Sequence, residues 1–557
     1  MCGIAGWAAG AHAPDPHALA AMAEVLAHRN DADVSALIDR KPRRTVVMAA
    51  GLIDETSGIS LALDGAIVNA PELRAALAKR RYSFPTGSDA ELLLRAYQHW
   101  DQEVVKQLRG AFAFALWDAR KERLMLARDR FGQKPLHLHH AGGVLAFASE
   151  VKALVRAPGV RADIDSEAVG DYLRVGYVCG PRTLVRGVRK LGPGTYALWQ
   201  FGALRETRYW TPPDGEAQQS KATREEPIDA FIERLDEAVR LQIDAARPVG
   251  ALLSGGYDSA AIVALMKRHR DDAATFSAGF ADDKQSELAA AARLAQHFGT
   301  AHHEIVLQRR DVLAHLPQLV ATRDAPFHRP ADVALHLLAR EAARKVRVAL
   351  SGDGGDEILG GYRRHTALRA LAPSPKRVNG LFVIPVTPPQ AAEPEGPGSP
   401  LRRILYYEQV SWLADSLLER TDRMTAAAAL ELRTPFLDHR LAEYVSSLPD
   451  AARVRGLSTK WILRKADERL LAESKITPQK RGFRIPLADL MRGEMREFVV
   501  DQLRGPGCRT RAYYDAAVLD RVIDEHLASR RNHEGTLWTL LNLEIWHRIL
   551  SASSRPT

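Results

Sequence analysis

The apolar positions of this 557-residue chain change their spacing along its length. Around residue 250 an unbroken apolar run, 249–253, reads as a buried strand. Ser254-Gly255-Gly256 then turns the backbone, and Ala260, Ile262, Val263 and Leu265 follow helical spacing. That order predicts strand, tight loop and helix. Nearer the start, residues 110–118 alternate small and aromatic side chains as in a packed sheet, and 124–127 read as the hairpin partner. Further on, Phe231, Leu235, Val239 and Ile243 mark a helix over about 228–244. Strands are expected at 275–280, 303–307 and 346–350, with a helix at 287–298 between the first two. Such alternation predicts a parallel sheet in the second half. The polar, proline-bearing stretch 211–227 keeps neither period and reads as a linker, and the Pro/Gly-rich stretch 373–400 as a surface loop.

Length and composition bound what such a chain can be. A chain this long exceeds what one hydrophobic core usually serves, so two or more domains are expected. Hydrophobic residues at 46% and charged residues at 26% are those of a soluble globular protein. The net charge of +9 is spread over scattered Lys and Arg, so no nucleic-acid partner is expected. Three cysteines, Cys2, Cys179 and Cys508, are too few and too far apart for a disulfide framework or a cysteine-rich metal site, which fits a reducing cytoplasm. No apolar run reaches membrane-spanning length, so no membrane partner is expected either.

Two glycine-rich stretches carry candidate chemistry. In Ser254-Gly255-Gly256-Tyr257-Asp258-Ser259, adjacent glycines let backbone N–H groups crowd an anion, two hydroxyls add donors, and the new helix points its positive end at the same spot. The loop is expected to grip phosphate. It lacks the Gly-Lys-Ser/Thr of a Walker loop, and Asp258 beside a phosphate makes sense with a divalent cation between them. The second stretch, Ser351-Gly352-Asp353-Gly354-Gly355-Asp356, follows another buried-type strand. Ligands of parallel sheets bind beyond the carboxyl ends of the strands, so both loops are expected to face one nucleotide. At the amino terminus, removal of Met1 would expose Cys2, whose own α-amine, with a pKa of about 7.7–8.0, can serve its thiol as base.

These stretches resemble known families. The first loop resembles that of the N-type ATP pyrophosphatases. Met1-Cys2-Gly3-Ile4, Thr86-Gly87-Ser88-Asp89, residues 110–118, Ala127-Arg128-Asp129-Arg130-Phe131-Gly132 and Ala148-Ser149-Glu150 look like a class II glutamine amidotransferase domain. Asp422-Arg423, Leu430-Glu431-Leu432-Arg433-Thr434-Pro435-Phe436-Leu437-Asp438, Lys460-Trp461 and Lys480-Arg481-Gly482-Phe483 match the synthetase domain of the asparagine synthetase family. The resemblance implies an N-terminal-nucleophile αββα sandwich over 1–210, a linker over 211–227, and a parallel-sheet α/β domain over 228–557. It implies a ligase using ATP and Mg2+ that activates a carboxylate, aspartate by default, as an acyl-adenylate and transfers ammonia to it. Small molecules are then the partners, and the resemblance admits a homodimer. Carried over by position, Cys2 is the glutaminase nucleophile, with Asp64, Gly65 and Asp89 at the glutamine. Ser254, Gly255, Gly256 and Ser259 hold pyrophosphate, Asp258 and Asp356 the Mg2+, and Leu253, Ala278, Ser351 and Gly352 the adenosine. Lys460 neutralises phosphate charge, Asp353 takes a proton from the attacking amine, and Arg329 pairs with the acid substrate.

Departures cluster in the first domain. The family's His-Arg-Gly-Pro-Asp reads His28-Arg29-Asn30-Asp31-Ala32 here, the arginine for the glutamine carboxylate is missing around 49–54, and the oxyanion asparagine is Asp64. An ionised Asp64 offers no N–H to an oxyanion, and one such donor is worth about 3–4 kcal/mol elsewhere. A nucleophile in a pocket poor at glutamine turnover is therefore expected. A second reading follows from it, a specialised amide synthetase or cyclase using a non-ammonia amine with the first domain as scaffold. A non-catalytic binding protein would be expected to lose Asp258, Asp356 or the glycines, and all are present.

Overall fold

The computed structural model describes residues 3–10, 18–29, 35–41, 44–213, 226–243, 247–280, 287–327, 329–367, 381–383, 398–472, 478 and 485–553. The first part holds two six-stranded antiparallel sheets. One runs Val188–Lys190, His137–Ala141, Val144–Ala148, Ala5–Ala9, Arg44–Ala50 and Ser35–Lys41. The other runs Ala203–Arg208, Thr195–Gln200, Arg123–Arg128, Phe112–Asp118, Ile59–Gly65 and Leu52–Asp54.

Alternation along Phe112–Asp118 explains the layering. Ala113, Ala115 and Trp117 face the apolar layer shared with Ile4, Met48 and Phe147 of the opposite sheet. Phe112, Phe114 and Leu116 face the other way, against the helices Ala70–Ala78 and Asp89–Trp100. Alternate residues of the strand thus serve the layer between the sheets and the layer under the helices. The far face of the first sheet, with Trp7, Val47 and Ala49, packs on Leu19 and Met22 of the helix Ala18–Glu24. The sandwich expected from the resemblance is thus present.

The second part is built on a five-stranded parallel sheet in the order Ala301–Leu307, Ala274–Phe280, Val249–Leu252, Val348–Leu350 and Glu431–Arg433. Its central strand leads into the helix Tyr257–His269, whose eight buried residues mark it as an interior helix. The helix Glu226–Gln242 packs beside it through Phe231, Leu235 and Val239. Four further helices close the chain: Leu487–Arg492, Arg496–Arg504, Ala516–Leu527 and Glu534–Ser553.

One apolar cluster crosses from part to part, from Trp7 and Met22 through Tyr172 and Val178 to Leu537, Trp538 and Trp546. Ion pairs also join the two parts. Arg109 reaches Asp438 at 2.9 Å and Glu237 at 2.9 Å, and Lys190 reaches Glu419 at 2.9 Å and Asp415 at 3.3 Å.

The stretch 373–400 departs from the surface loop expected of it where it is described. Leu381 is fully buried, its carbonyl accepts the Asp515 N–H at 2.9 Å, and the Val383 N–H donates to the Tyr513 carbonyl at 3.0 Å. Leu381 and Phe382 pack into the apolar cluster of the closing helices, while Val383 stays exposed. Residues 214–225 of the expected linker, and Lys480-Arg481-Gly482-Phe483, lie outside the described residues.

Candidate active site

The two glycine loops meet. The strand Val249–Leu252 ends in Leu253, and Gly255 turns the chain with φ +78°, a conformation that favours glycine. Ser259 Oγ then accepts the Ser254 N–H at 3.2 Å and donates to the Gly256 carbonyl at 3.2 Å, which fixes the loop against the first turn of its helix. A Cβ at Gly352 would lie 2.6 Å from the Asp258 Cβ, so a side chain there would force the loops apart. The same holds at Gly361, where a Cβ would lie 1.9 Å from Asp356 Oδ1 and 2.1 Å from Lys460 Cε.

Lys460 sits between the loops. Its backbone is left-handed, φ +51°, and caps the helix Trp461–Leu470, which packs in the same apolar cluster as Tyr257–His269. Its ammonium donates to both carboxylate oxygens of Asp258, at 2.5 and 2.6 Å, and lies 2.7 Å from Asp356 Oδ1. Burial alone would lower its pKa, but Asp258 and then Asp356 outweigh burial and push it up to about 12. The two carboxylates thus converge on the Lys460 ammonium. Among the described residues no group of three or more His, Cys, Asp or Glu gathers as a metal cage. Two carboxylates suit Mg2+, which commonly takes one or two from protein and completes its shell with phosphate and water oxygens.

Beside this cluster opens a cavity of about 420 Å3. Ser254, Gly256, Asp258, Ser259, Ser351, Gly352 and Asp356 line it at the loop end, with Leu253 and Ala278 along the wall. Asp353 and Arg329 line it too, so eleven of the thirteen candidates for this half share one space. Gly255 and Lys460 do not line it; Lys460 touches it through Asp258 and Asp356. Phe276, Ala334, Leu335 and Leu338 supply an apolar wall of the kind a nucleobase packs on.

Around the cavity, Arg420 and Asp467 escaped the sequence reading, whereas Glu357 is the third carboxylate of the second glycine-rich stretch. Arg420 lines the cavity beside Arg329 and pairs with Asp332 at 3.5 Å. Arg329 lies 5.1 Å over the Trp412 ring, and burial, then the Arg420 charge, lowers its pKa. Beneath, fully buried Glu357 accepts from Tyr362 Oη at 2.5 Å and Trp412 Nε1 at 3.2 Å; burial, then Asp356, pushes it up to about 7. Behind Asp258 stands Asp467, 2% exposed and held well above the usual carboxylate range by burial and by Asp258. A carboxylate four residues after Leu463, on the buried face of a helix, was the available signal for it.

The first part differs. Cys2 lies outside the described residues, as do Asn30 and Asp31. The strand that follows Cys2 is pinned by Ile4, whose N–H donates to Ser149 Oγ at 3.0 Å. Asp64, fully buried, lies 3.1 Å from Arg29 Nη1 and 3.9 Å from Lys134 Nζ. Arg29 also binds Glu150 and Asp422, and Arg423 binds Glu150 in turn. Lys134 reaches Asp422 at 3.0 Å. Although burial opposes the charge, Arg29 and Lys134 hold Asp422, and Arg423 and Arg29 hold Glu150, well below the usual carboxylate range. Gly65 takes φ +112°, and Asp89 accepts the Ile67 N–H at 3.0 Å while lying 3.4 Å from Arg74. Asp64, expected from sequence to offer an oxyanion no N–H, is a carboxylate whose charge is answered by Arg29, from 35 residues earlier in the chain.

A parallel sheet with two glycine loops on one cavity, fused to an antiparallel double-sheet sandwich, defines a ligase that uses ATP and carries an amidotransferase domain. The chain belongs to the glutamine-hydrolysing asparagine synthetase family: the asparagine synthase description matches residues 230–548, and the glutamine amidotransferase domain matches 1–210. A Mycobacterium tuberculosis protein is 33% identical over 551 residues, covering 88% of this chain and 84% of its own. The Bacillus subtilis glutamine-hydrolysing asparagine synthetase 1 is 30% identical over 556 residues, covering 89% and 86%. A solved Bacillus subtilis glutamine phosphoribosylpyrophosphate amidotransferase pairs with 54% of this chain and 65% of its own, at 15% identity and a TM-score of 0.28, too weak a likeness to add to the fold described above.

Proposed function

We propose that this enzyme activates a carboxylic acid, aspartate by default, as its acyl-adenylate and passes it to ammonia, and that its first domain turns over glutamine poorly. The observation that carries the ligase reading is the convergence of Asp258 and Asp356, which line the cavity, on Lys460. In this reading Asp258 and Asp356 hold the Mg2+ that screens the phosphates, and Lys460 turns from them toward the charge developing on pyrophosphate. Ser254, Gly255, Gly256 and Ser259 cradle the pyrophosphate, and the apolar wall with Leu253, Ala278, Ser351 and Gly352 takes the adenosine. The acid's carboxylate oxygen attacks the α-phosphorus, the bond to the β-phosphate oxygen breaks, and pyrophosphate leaves. Arg329 orients the acid, and Asp353 accepts the proton that the amine loses as it displaces AMP. Acid-dependent exchange of labelled pyrophosphate into ATP, screened over aspartate and other acids, tests the reading: no exchange with any acid would remove it, and exchange with another acid but not aspartate would replace the default.

The second reading, an amine other than ammonia with the first domain as scaffold, is favoured by one observation, the Asp64 carboxylate paired with Arg29 where the family has an amide donor. With Cys2, Gly65 and Asp89 retained, some glutamine binding is still expected in the first reading. Product labelling from amide-15N glutamine against 15N ammonium separates the two: label from glutamine at a rate matching ammonium would exclude a degraded pocket.

A further inference from the structure

The helix Glu419–Ala426 has two working faces. At about 100° per residue, positions 419, 422 and 423 share one side and 420 and 421 the roughly opposite one. On the first side Glu419 binds Lys190, Asp422 binds Arg29 and Lys134, and Arg423 binds Glu150, all four partners belonging to the first part of the chain. On the second side Arg420 lines the ATP cavity, and Thr421 Oγ1 donates to Asp353 Oδ2 at 3.1 Å. Thr421 is 4% exposed, so its hydroxyl has no solvent partner to compete with Asp353. Asp353 is steadied from below by its N–H, which donates to Ser351 Oγ at 3.2 Å.

We propose that Thr421 is a positioning residue for the amine-transfer step, and that the ion cluster around Arg29 anchors the helix that carries it. This rests on the ligase reading above. In that step the amine nitrogen bonds to the acyl carbon, the bond from that carbon to the phosphate oxygen breaks, AMP leaves, and the amine proton passes to Asp353. One Asp353 oxygen must point at the amine for this. A hydroxyl on Oδ2 fixes the carboxylate's rotation and leaves Oδ1 to face the cavity. The first domain then has a duty separate from glutamine: through Asp422, next in sequence to Thr421, it sets where the proton acceptor points. Adenylate formation uses neither Thr421 nor the proton transfer, so the two half-reactions separate the inference from general damage.

The test compares Thr421→Val, Thr421→Ser and Asp422→Asn in the full-length enzyme, with the acid that supports exchange in the unsubstituted enzyme and ammonium chloride as amine. Thr421→Val is expected to keep pyrophosphate exchange within about twofold while amide formation falls about tenfold or more, part of the 100-fold or more that a positioned base supplies. Thr421→Ser, which restores the hydroxyl, is expected to regain most of the loss, and Asp422→Asn to show the same split more weakly. Equal losses in both half-reactions of Thr421→Val, or Thr421→Ser no better than valine, would overturn the assignment. Should Asp422→Asn fail to fold, the valine and serine pair still decides. Absence of exchange with every acid in the unsubstituted enzyme would instead overturn the ligase reading beneath it.

Discussion

Lys460 and Arg29 are both buried cations ringed by carboxylates, yet they differ in what lies beside them. Around Lys460, Asp258 and Asp356 supply two negative charges, and the group borders a cavity large enough for a nucleotide. Around Arg29, the carboxylates of Asp64, Glu150 and Asp422 alternate with Lys134 and Arg423, and no side chain in the cluster is more than 6% exposed. Every charge there is answered from within the protein. The contrast shows what separates a binding cluster from a structural one: in the first, the carboxylates of Asp258 and Asp356 line a cavity that can take a ligand, whereas the second faces protein on every side.

The comparison can be broken or sharpened in four ways. Arg29→Met leaves three buried carboxylates without their common partner, and breaking a buried pair typically costs about 3–5 kcal/mol; a lowered urea midpoint at pH 7 is the expected result, and an unchanged midpoint would mean the cluster is not structural. Lys460→Met is expected to cost about 100- to 1,000-fold in pyrophosphate exchange, as loss of one preorganised charge does elsewhere, with the urea midpoint much less affected than by Arg29→Met.

A pH titration comes third. Burial opposes the Glu419 charge, but Lys190 and then Arg323 pull its pKa down to about 2, against roughly 4.3 in an unfolded chain. The stability this contributes is fully present above the unfolded value and is lost as pH falls through about 2. Urea midpoints between pH 6 and pH 3 should therefore fall less steeply in Glu419→Gln; an identical slope would count against it. The smallest effect is expected from Cys2→Ala, with ammonium-driven amide formation within about twofold of the parent, because free ammonium bypasses the glutaminase nucleophile.

Local rules made the nucleotide half legible and left the joint between halves obscure. An apolar run, Ser-Gly-Gly and a helical period place Ser254, Asp258 and Ser259 in a loop, and the rule on strand ends places Asp353 and Asp356 near them. Lys460 as the bridge between the two carboxylates is another matter, since it pairs with Asp258 across 202 residues. Thr421 and Asp422 are harder still. Their helix is polar on both sides because it faces ion pairs on one and a ligand cavity on the other, so no run of apolar residues marks it as buried. The partner of Asp64 was hidden for a related reason: the guanidinium that answers its charge comes from a neighbouring element, 35 residues away.

The apolar cluster running from Trp7 through Tyr172 to Trp546 carries a consequence for anyone who would divide this enzyme. Cutting the chain between its halves would wet a seam of tryptophan, tyrosine and aliphatic side chains on each fragment, an adhesive surface with no solvent-compatible alternative packing. Grafting the first half of a relative onto the second half of this one would therefore require its helices to fit Trp538 and Trp546, whatever chemistry the borrowed half performs.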